Sequence, residues 1–178
     1  MKTYIALLRG INVGGQKKIK MADLRQTLER SGLQNVKTYI QSGNIVFDSE
    51  MSKIEEIQDS IYDAILSDFG FEVPILVVTG GEIERILKEN PFINKTTENN
   101  LYFVLLKEVP NQSLVDEFNA ISFDHEDFYI TDNCVYLCCK RGYGNAKLNN
   151  NLIERMLKVS ATARNLRTMQ KLLELSGN

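Results

Sequence analysis

One histidine and three cysteines leave this 178-residue chain few ways to hold a metal. Cys134, Cys138 and Cys139 fall on one expected strand, where adjacent side chains point to opposite faces and cannot converge on one ion. They read as buried thiols in a reducing compartment, not as a disulfide framework. His125 stands in the acidic loop Asp124-His125-Glu126-Asp127, which lacks the glycine-centred EF-hand spacing and reads as solvated. No metal and no cofactor are expected. Long apolar runs are missing too: none approaches the roughly 18 residues of a membrane-crossing helix. Met1-Lys2-Thr3 leads straight into a short apolar strand with no signal-peptide pattern, so a cytoplasmic protein without membrane association is expected. Nor is there an excess of charge. A formal net charge of -2 argues against a strongly basic nucleic-acid binder while leaving room for local basic patches.

What is present is the balance of an ordinary globular protein, with 43% hydrophobic and 25% charged residues. An internal repeat organises it. Tyr4-Ile5-Ala6-Leu7-Leu8-Arg9 returns as Tyr102-Phe103-Val104-Leu105-Leu106-Lys107, two apolar strands ending in a cation. A helix follows each: Met21, Leu24 and Leu28 ending near Gly32, then Leu114, Val115, Phe118 and Ile121. Next comes a hairpin in each half, turning at Ser42-Gly43 and at Asp132-Asn133. A second helix (Ile54, Ile57, Ile61, Ile65 and Phe69, matched by Leu148, Leu152, Met156 and Val159) and a fourth strand complete each half. The order β-α-β-β-α-β is the split βαβ pattern. The expected fold is therefore α+β, two ferredoxin-like halves related by internal duplication, each with a trailing helix. Residues 1–92 and 100–178 form the halves, separated by a polar loop near Pro91 to Asn100.

Three segments carry candidate chemistry. In Arg9-Gly10-Ile11-Asn12-Val13-Gly14-Gly15-Gln16-Lys17-Lys18, glycines let backbone N–H groups approach a ligand, and a helix N-terminus follows. The loop reads as a cradle for a phosphate, nucleotide or RNA backbone, or as a solvated surface connection. It has neither GxGxxG spacing nor a Gly-Lys-Ser/Thr ending. With the first and third strands taken as central and parallel, this loop is expected to face the strand exit at Asp48-Ser49. The corresponding exit in the second half, Lys140-Arg141-Gly142-Tyr143-Gly144-Asn145-Ala146-Lys147, offers Arg141 and Lys147 to phosphate and Tyr143 to a base, or is a capped helix start with an exposed ring. The third segment, Ala161-Thr162-Ala163-Arg164-Asn165, closes a short central element. Arg164 there reads as a bidentate ligand contact or as an internal clamp.

The motifs LLRGINVGG, TYIQSGNIVF, NPF and ATARN resemble the bacterial family called domain of unknown function 1697, in order and over nearly the whole chain. The match runs through Arg9, Gly10, Asn12, Gly14 and Gly15, then Ser42, Gly43 and Asn44, then Asn90-Pro91-Phe92, then Thr162, Arg164 and Asn165. Where members often carry an aromatic after the Arg-Asn pair, this chain has Leu166. The resemblance implies a cytoplasmic bacterial protein with ferredoxin-like parts, and brings no activity or cofactor.

Three functions fit these residues. The first is binding of a phosphate-bearing ligand, a nucleotide or single-stranded nucleic acid, through Arg9, Gly10, Asn12, Gly14, Gly15, Lys17, Ser42, Asn44, Arg141, Arg164 and Asn165, with Tyr39, Phe47, Phe128 and Tyr136 as stacking rings on the sheets. The second is a small hydrolase of phosphorylated or acyl-phosphate substrates, by analogy with the acylphosphatase group, with Arg9 and either Asn44 or Asn12 orienting water. The third is a homodimeric interaction scaffold. The chain is expected to be a monomer or a homodimer.

Overall fold

The computed structural model describes residues 1–177. The chain divides into two compact units, Met1–Arg85 with Gln170–Asn178, and Ile86–Met169. Compared with the expected halves, the boundary comes before the Asn90-Pro91-Phe92 motif, and the chain from Gln170 on groups with the first unit.

The first unit runs β1 (Lys2–Leu8), α1 (Met21–Arg30), β2 (Gln34–Tyr39), β3 (Asn44–Ser49), α2 (Ile54–Phe69) and β4 (Ile75–Val78), followed by α3 (Gly80–Lys88). Its sheet has the order β2-β3-β1-β4, with each neighbouring pair antiparallel. β1 and β3 are central, which is why both read as nearly unbroken apolar runs rather than alternating ones. Tyr4, Ala6 and Leu8 with Ile45 and Phe47 face α1 and α2, where Leu24, Leu28, Ile57, Ile61 and Ile65 complete the core. On the opposite face Ile5, Leu7 and Val46 are buried as well. Gly70 in left-handed conformation stops α2. A bond from the Thr27 hydroxyl to Asp68 (2.6 Å) ties α1 to that end of α2.

One expectation is overturned. β1 and β3 run antiparallel, with Lys2 opposite Ser49 and Leu7 opposite Asn44. The α1 crossover makes β1 and β2 parallel, and the short turn from β2 to β3 makes β3 antiparallel to β2. A strand lying between β1 and β2 therefore opposes both. The loop after β1 lies beside the Tyr39–Asn44 turn, and Asp48-Ser49 sits at the other end of the sheet.

The second unit repeats the order: β5 (Leu101–Leu106), α4 (Gln112–Asn119), β6 (Glu126–Ile130), β7 (Cys134–Cys139), α5 (Asn150–Leu157) and β8 (Ala161–Asn165), followed by α6 (Leu166–Leu175). Its sheet order is β6-β7-β5-β8, so β8 is an edge strand, not the central element expected around Arg164. Val104, Leu106, Val135, Leu137 and Cys139 pack with Phe118, Ile153 and Leu157.

All three cysteines lie on β7 and are buried. Burial raises the Cys134 thiol and pushes Cys139 up to about 12, so both are held as unreactive thiols at neutral pH. A disulfide-exchange reagent should leave the native protein unmodified over minutes and titrate three thiols once denaturant is added. Rapid labelling without denaturant would contradict this packing.

At the far end of the first sheet, Asn35 and Thr3 each donate to the Asp48 carboxylate, at 2.8 and 2.7 Å. These bonds, Asn35's first, hold its pKa below the usual carboxylate range, with the charge of Lys37 adding to them. A depressed folded pKa stabilises the native state above the unfolded value near 4, and the contribution disappears as pH falls through the folded value. Asp48→Asn should therefore show a smaller drop in Tm than wild type when pH falls from 6 to about 3. Equal drops in the two proteins would show that the bonds carry no linkage.

Candidate functional site

The segment after β1 is held at both ends. The N–H of Leu8 donates to Gly43 (2.8 Å) and that of Arg9 to Pro74 (3.0 Å), while Ile11 is buried. Between these anchors and α1 the backbone takes positive φ at Gly10, Asn12, Gly14, Gly15 and Lys17. Asn12 and Lys17 are the strained members, since a side chain disfavours that region. Asn12 N–H donates to Lys17 (3.1 Å) and Gln16 N–H to Val13 (3.0 Å), which folds residues 12–17 into a tight turn.

The Asn12 side chain locks that turn to the rest of the unit. Its Oδ1 accepts from Ile19 N–H (2.8 Å), and its Nδ2 donates to the carbonyls of Ile19 (2.9 Å) and Gln41 (2.8 Å). Both donors are thus used within the protein. Asn44 is similarly committed: fully buried, it donates to Tyr39 O (3.0 Å) and Ser42 Oγ (2.9 Å) inside the β2–β3 turn. Gly43 makes the contact between turn and loop possible. It has φ +78, and a Cβ there would lie 2.5 Å from Leu8 Cβ and 3.1 Å from Ile11 Cδ1.

This framework bounds a groove of about 600 Å³. Its lining includes Asn12, Gly15 and Gln41, the basic residues Lys18 and Lys20, and the apolar Phe69 at the end of α2. α1 starts at the groove without a side-chain cap on its first turn, so its earliest N–H groups face outward with the positive end of the helix dipole. Asp23, also on that turn, is the one carboxylate among the groove's lining residues.

The expected site residues divide accordingly. Asn12 and Gly15 line the groove. Gly10 and Gly14 shape the loop without lining the groove, and half-buried Arg9 is not among the lining residues either. Lys17 turns away, its ammonium donating to Glu72 O (2.6 Å). Gln41, Phe69 and Lys20 complete the groove. Neither Gln41 nor Phe69 has a local pattern marking it, because each is brought in by a turn or a helix end distant in sequence.

In the second unit, Arg141 and Lys147 line a separate cavity of about 450 Å³ with Asp124, His125, Glu126 and Asn145. The acidic loop expected to be merely solvated thus meets the basic one. Tyr143 is not an exposed ring: it stacks on Tyr102 (centroids 4.6 Å apart), and its hydroxyl accepts from the first N–H of α5, that of Asn150 (2.9 Å). Arg164 is 9% exposed on β8, donating to Thr162 Oγ1 (2.9 Å) and Ala163 O (2.8 Å). Burial pushes its guanidinium down to about 10, still a cation at neutral pH. Asn165 accepts from Thr168 N–H (2.8 Å) and so caps the start of α6.

The sequence profile of the family described as "protein of unknown function (DUF1697)" matches residues 1–136. The chain belongs to the DUF1697 family. Its fold is similar to the solved structure titled as that of the conserved bacterial protein SP0830 from Streptococcus pneumoniae. The two share 24% identity and a TM-score of 0.78, over 100% of this chain and 99% of that one, a likeness that shows the fold. No curated protein matches. In this DUF1697 member Leu166, at the place where an aromatic was expected to be common, is buried. Of the rings considered for base stacking, Phe47 and Tyr136 are buried and Phe128 packs against Phe118 and Phe123, while Tyr39 is half-buried at the end of β2. Among the described residues no helix is long and apolar enough to cross a membrane, and no group of three or more His, Cys, Asp or Glu is placed to hold a metal.

Proposed function

We propose that this protein binds a phosphate-bearing ligand, a nucleotide or the backbone of a short single-stranded nucleic acid, in the groove after β1. One observation carries the reading. A rigid turn, locked by three hydrogen bonds from one side chain, sets Lys18, Lys20 and the uncapped start of α1 around a single groove. A phosphate there meets two ammonium groups and a helix N-terminus, while Phe69 offers a surface for a base or sugar. Nucleotide size suits a groove of about 600 Å³, and the net charge of -2 favours a compact ligand over a long polyanion. The hydrolytic reading has less support. The amides of Asn12 and Asn44, needed to orient a water, are spent on backbone carbonyls and Ser42. A cytoplasmic location belongs to the same proposal, and the repeated element order supports descent by internal duplication.

The test is a thermal-stability panel of ATP, GTP, sugar phosphates, inorganic phosphate and oligouridylate. A ligand at a hundred times its dissociation constant adds about 2.7 kcal/mol, raising Tm by roughly 5–11 °C for a chain of this size. Lys18→Glu with Lys20→Glu should abolish the shift, and Asp23→Asn should enlarge it by removing the opposing charge. A shift that survives the double reversal would place the ligand elsewhere, and no shift from any member would reject the reading.

A further inference from the structure

The cavity in the second unit has a different chemistry from the groove after β1. Glu126, the first residue of β6, is 6% exposed yet lines this cavity. Among the described residues its carboxylate receives one hydrogen bond, from the N–H of Lys147 at 3.3 Å. A carboxylate has room for about four donors, so most of its capacity is directed at no protein group. That remaining capacity is open to water or to a cationic group entering the cavity.

The cations nearby do not fill that role. Arg141 and Lys147 share the cavity lining with Asp124 and Glu126, and no ion pair joins the two sets among the described residues. The same hairpin does form an ion pair where its strands allow one: Lys140 meets Asp127 at 3.0 Å, one position along from Arg141 and Glu126. Opposite charges thus line one space of about 450 Å³ without neutralising each other. A ligand that bridges them must carry both signs.

We propose that this cavity binds a small zwitterion, with its ammonium on Glu126 and Asp124 and its carboxylate on Arg141 and Lys147. The backbone N–H of Lys147 on Glu126 keeps the carboxylate in place before the ligand arrives. Arg141, following β7, presents a planar donor fork suited to a carboxylate. The cavity is large enough for an amino acid, and each of its lining residues carries a polar or charged group. This site stands apart from the phosphate reading, which rests on the first loop.

The chain supplies its own reporter. His125 is its only histidine and lines this cavity, so its ring C–H resonances form one assignable pair that responds to occupancy. The probes are glycine, β-alanine, γ-aminobutyrate and L-lysine, a series of increasing charge separation, with acetate, methylammonium and inorganic phosphate as single-charge controls. At least one zwitterion should shift the His125 resonances saturably at concentrations up to about 10 mM, tenfold above the weakest dissociation constant of interest. Glu126→Gln keeps the acceptor for Lys147 N–H and should weaken that probe about tenfold or more. Arg141→Ala, at an exposed position, should do the same without lowering Tm. The proposal is overturned if no zwitterion moves His125. It is equally overturned if acetate or phosphate alone binds as well as the zwitterion, which would make this an anion site only, or if both variants bind the zwitterion like wild type.

Discussion

Gly43→Ala should melt about 6–12 °C below wild type, a large loss for a single added methyl. The added Cβ would stand 2.5 Å from Leu8 Cβ, deep in the β1 core, and 3.1 Å from a buried methyl of Ile11. The nearer neighbour, Leu8 Cβ, is fixed to its own backbone and cannot swing aside, so the backbone must move. Overpacking costs about 1–3 kcal/mol, and a left-handed backbone at φ +78 adds about 1 kcal/mol for any residue with a Cβ. The sum, near 3 kcal/mol, corresponds to that fall in Tm. The Leu8-to-Gly43 hydrogen bond would lengthen with it, detaching the loop from the β2–β3 turn. Differential scanning calorimetry of the two proteins decides the matter. A change under about 2 °C would mean that the turn relaxes without strain.

Asn12→Ala should lose about 3 kcal/mol and, with it, ligand binding in the groove. Three hydrogen bonds disappear, each worth about 1 kcal/mol, and alanine tolerates the left-handed backbone at this position less well than asparagine. Asn12→Asp separates the two consequences. Its carboxylate still accepts from Ile19 N–H, but the oxygen replacing Nδ2 would face the carbonyl oxygens of Ile19 and Gln41. It should unfold at a lower temperature than wild type and add a negative charge to the groove, so phosphate-bearing ligands bind more weakly than stability alone accounts for. Denaturant melts with and without ATP measure both effects. An Asn12→Asp protein as stable as wild type would show that the two donations contribute nothing.

The elements were legible because their patterns are strong. Central strands appear as unbroken apolar runs in Tyr4–Leu8 and Cys134–Cys139, and the isoleucines of α2 recur at helical spacing. Strand direction was not legible from any one residue. It follows from the crossover and hairpin together, and reasoning from the position of β1 and β3 alone misplaced the loop against Asp48-Ser49. The candidate site was legible only as a region. Glycine and cation spacing marked the loop, yet Lys17 bonds a carbonyl 55 residues away, and the Asn12 side chain is spent on the backbone of Ile19 and Gln41. Such partners are chosen by the tertiary fold, so the residue type shows what a side chain is able to do without showing which group receives it. Glu126 illustrates the reverse. It looked like one more solvated acid, and only the pairing of β6 with β7 buries it beside the loop of Arg141.

The central claim is that the groove after β1 receives a phosphate-bearing ligand. Its most direct test is a backbone amide titration of the isotopically labelled protein with ATP and, separately, with oligouridylate. At least one should move the amides from Gly10 to Asp23 and that of Gln41, saturably, while the Lys18→Glu/Lys20→Glu protein stays still. Amides that do not respond to either probe, or a response confined to residues outside this groove, would contradict the account.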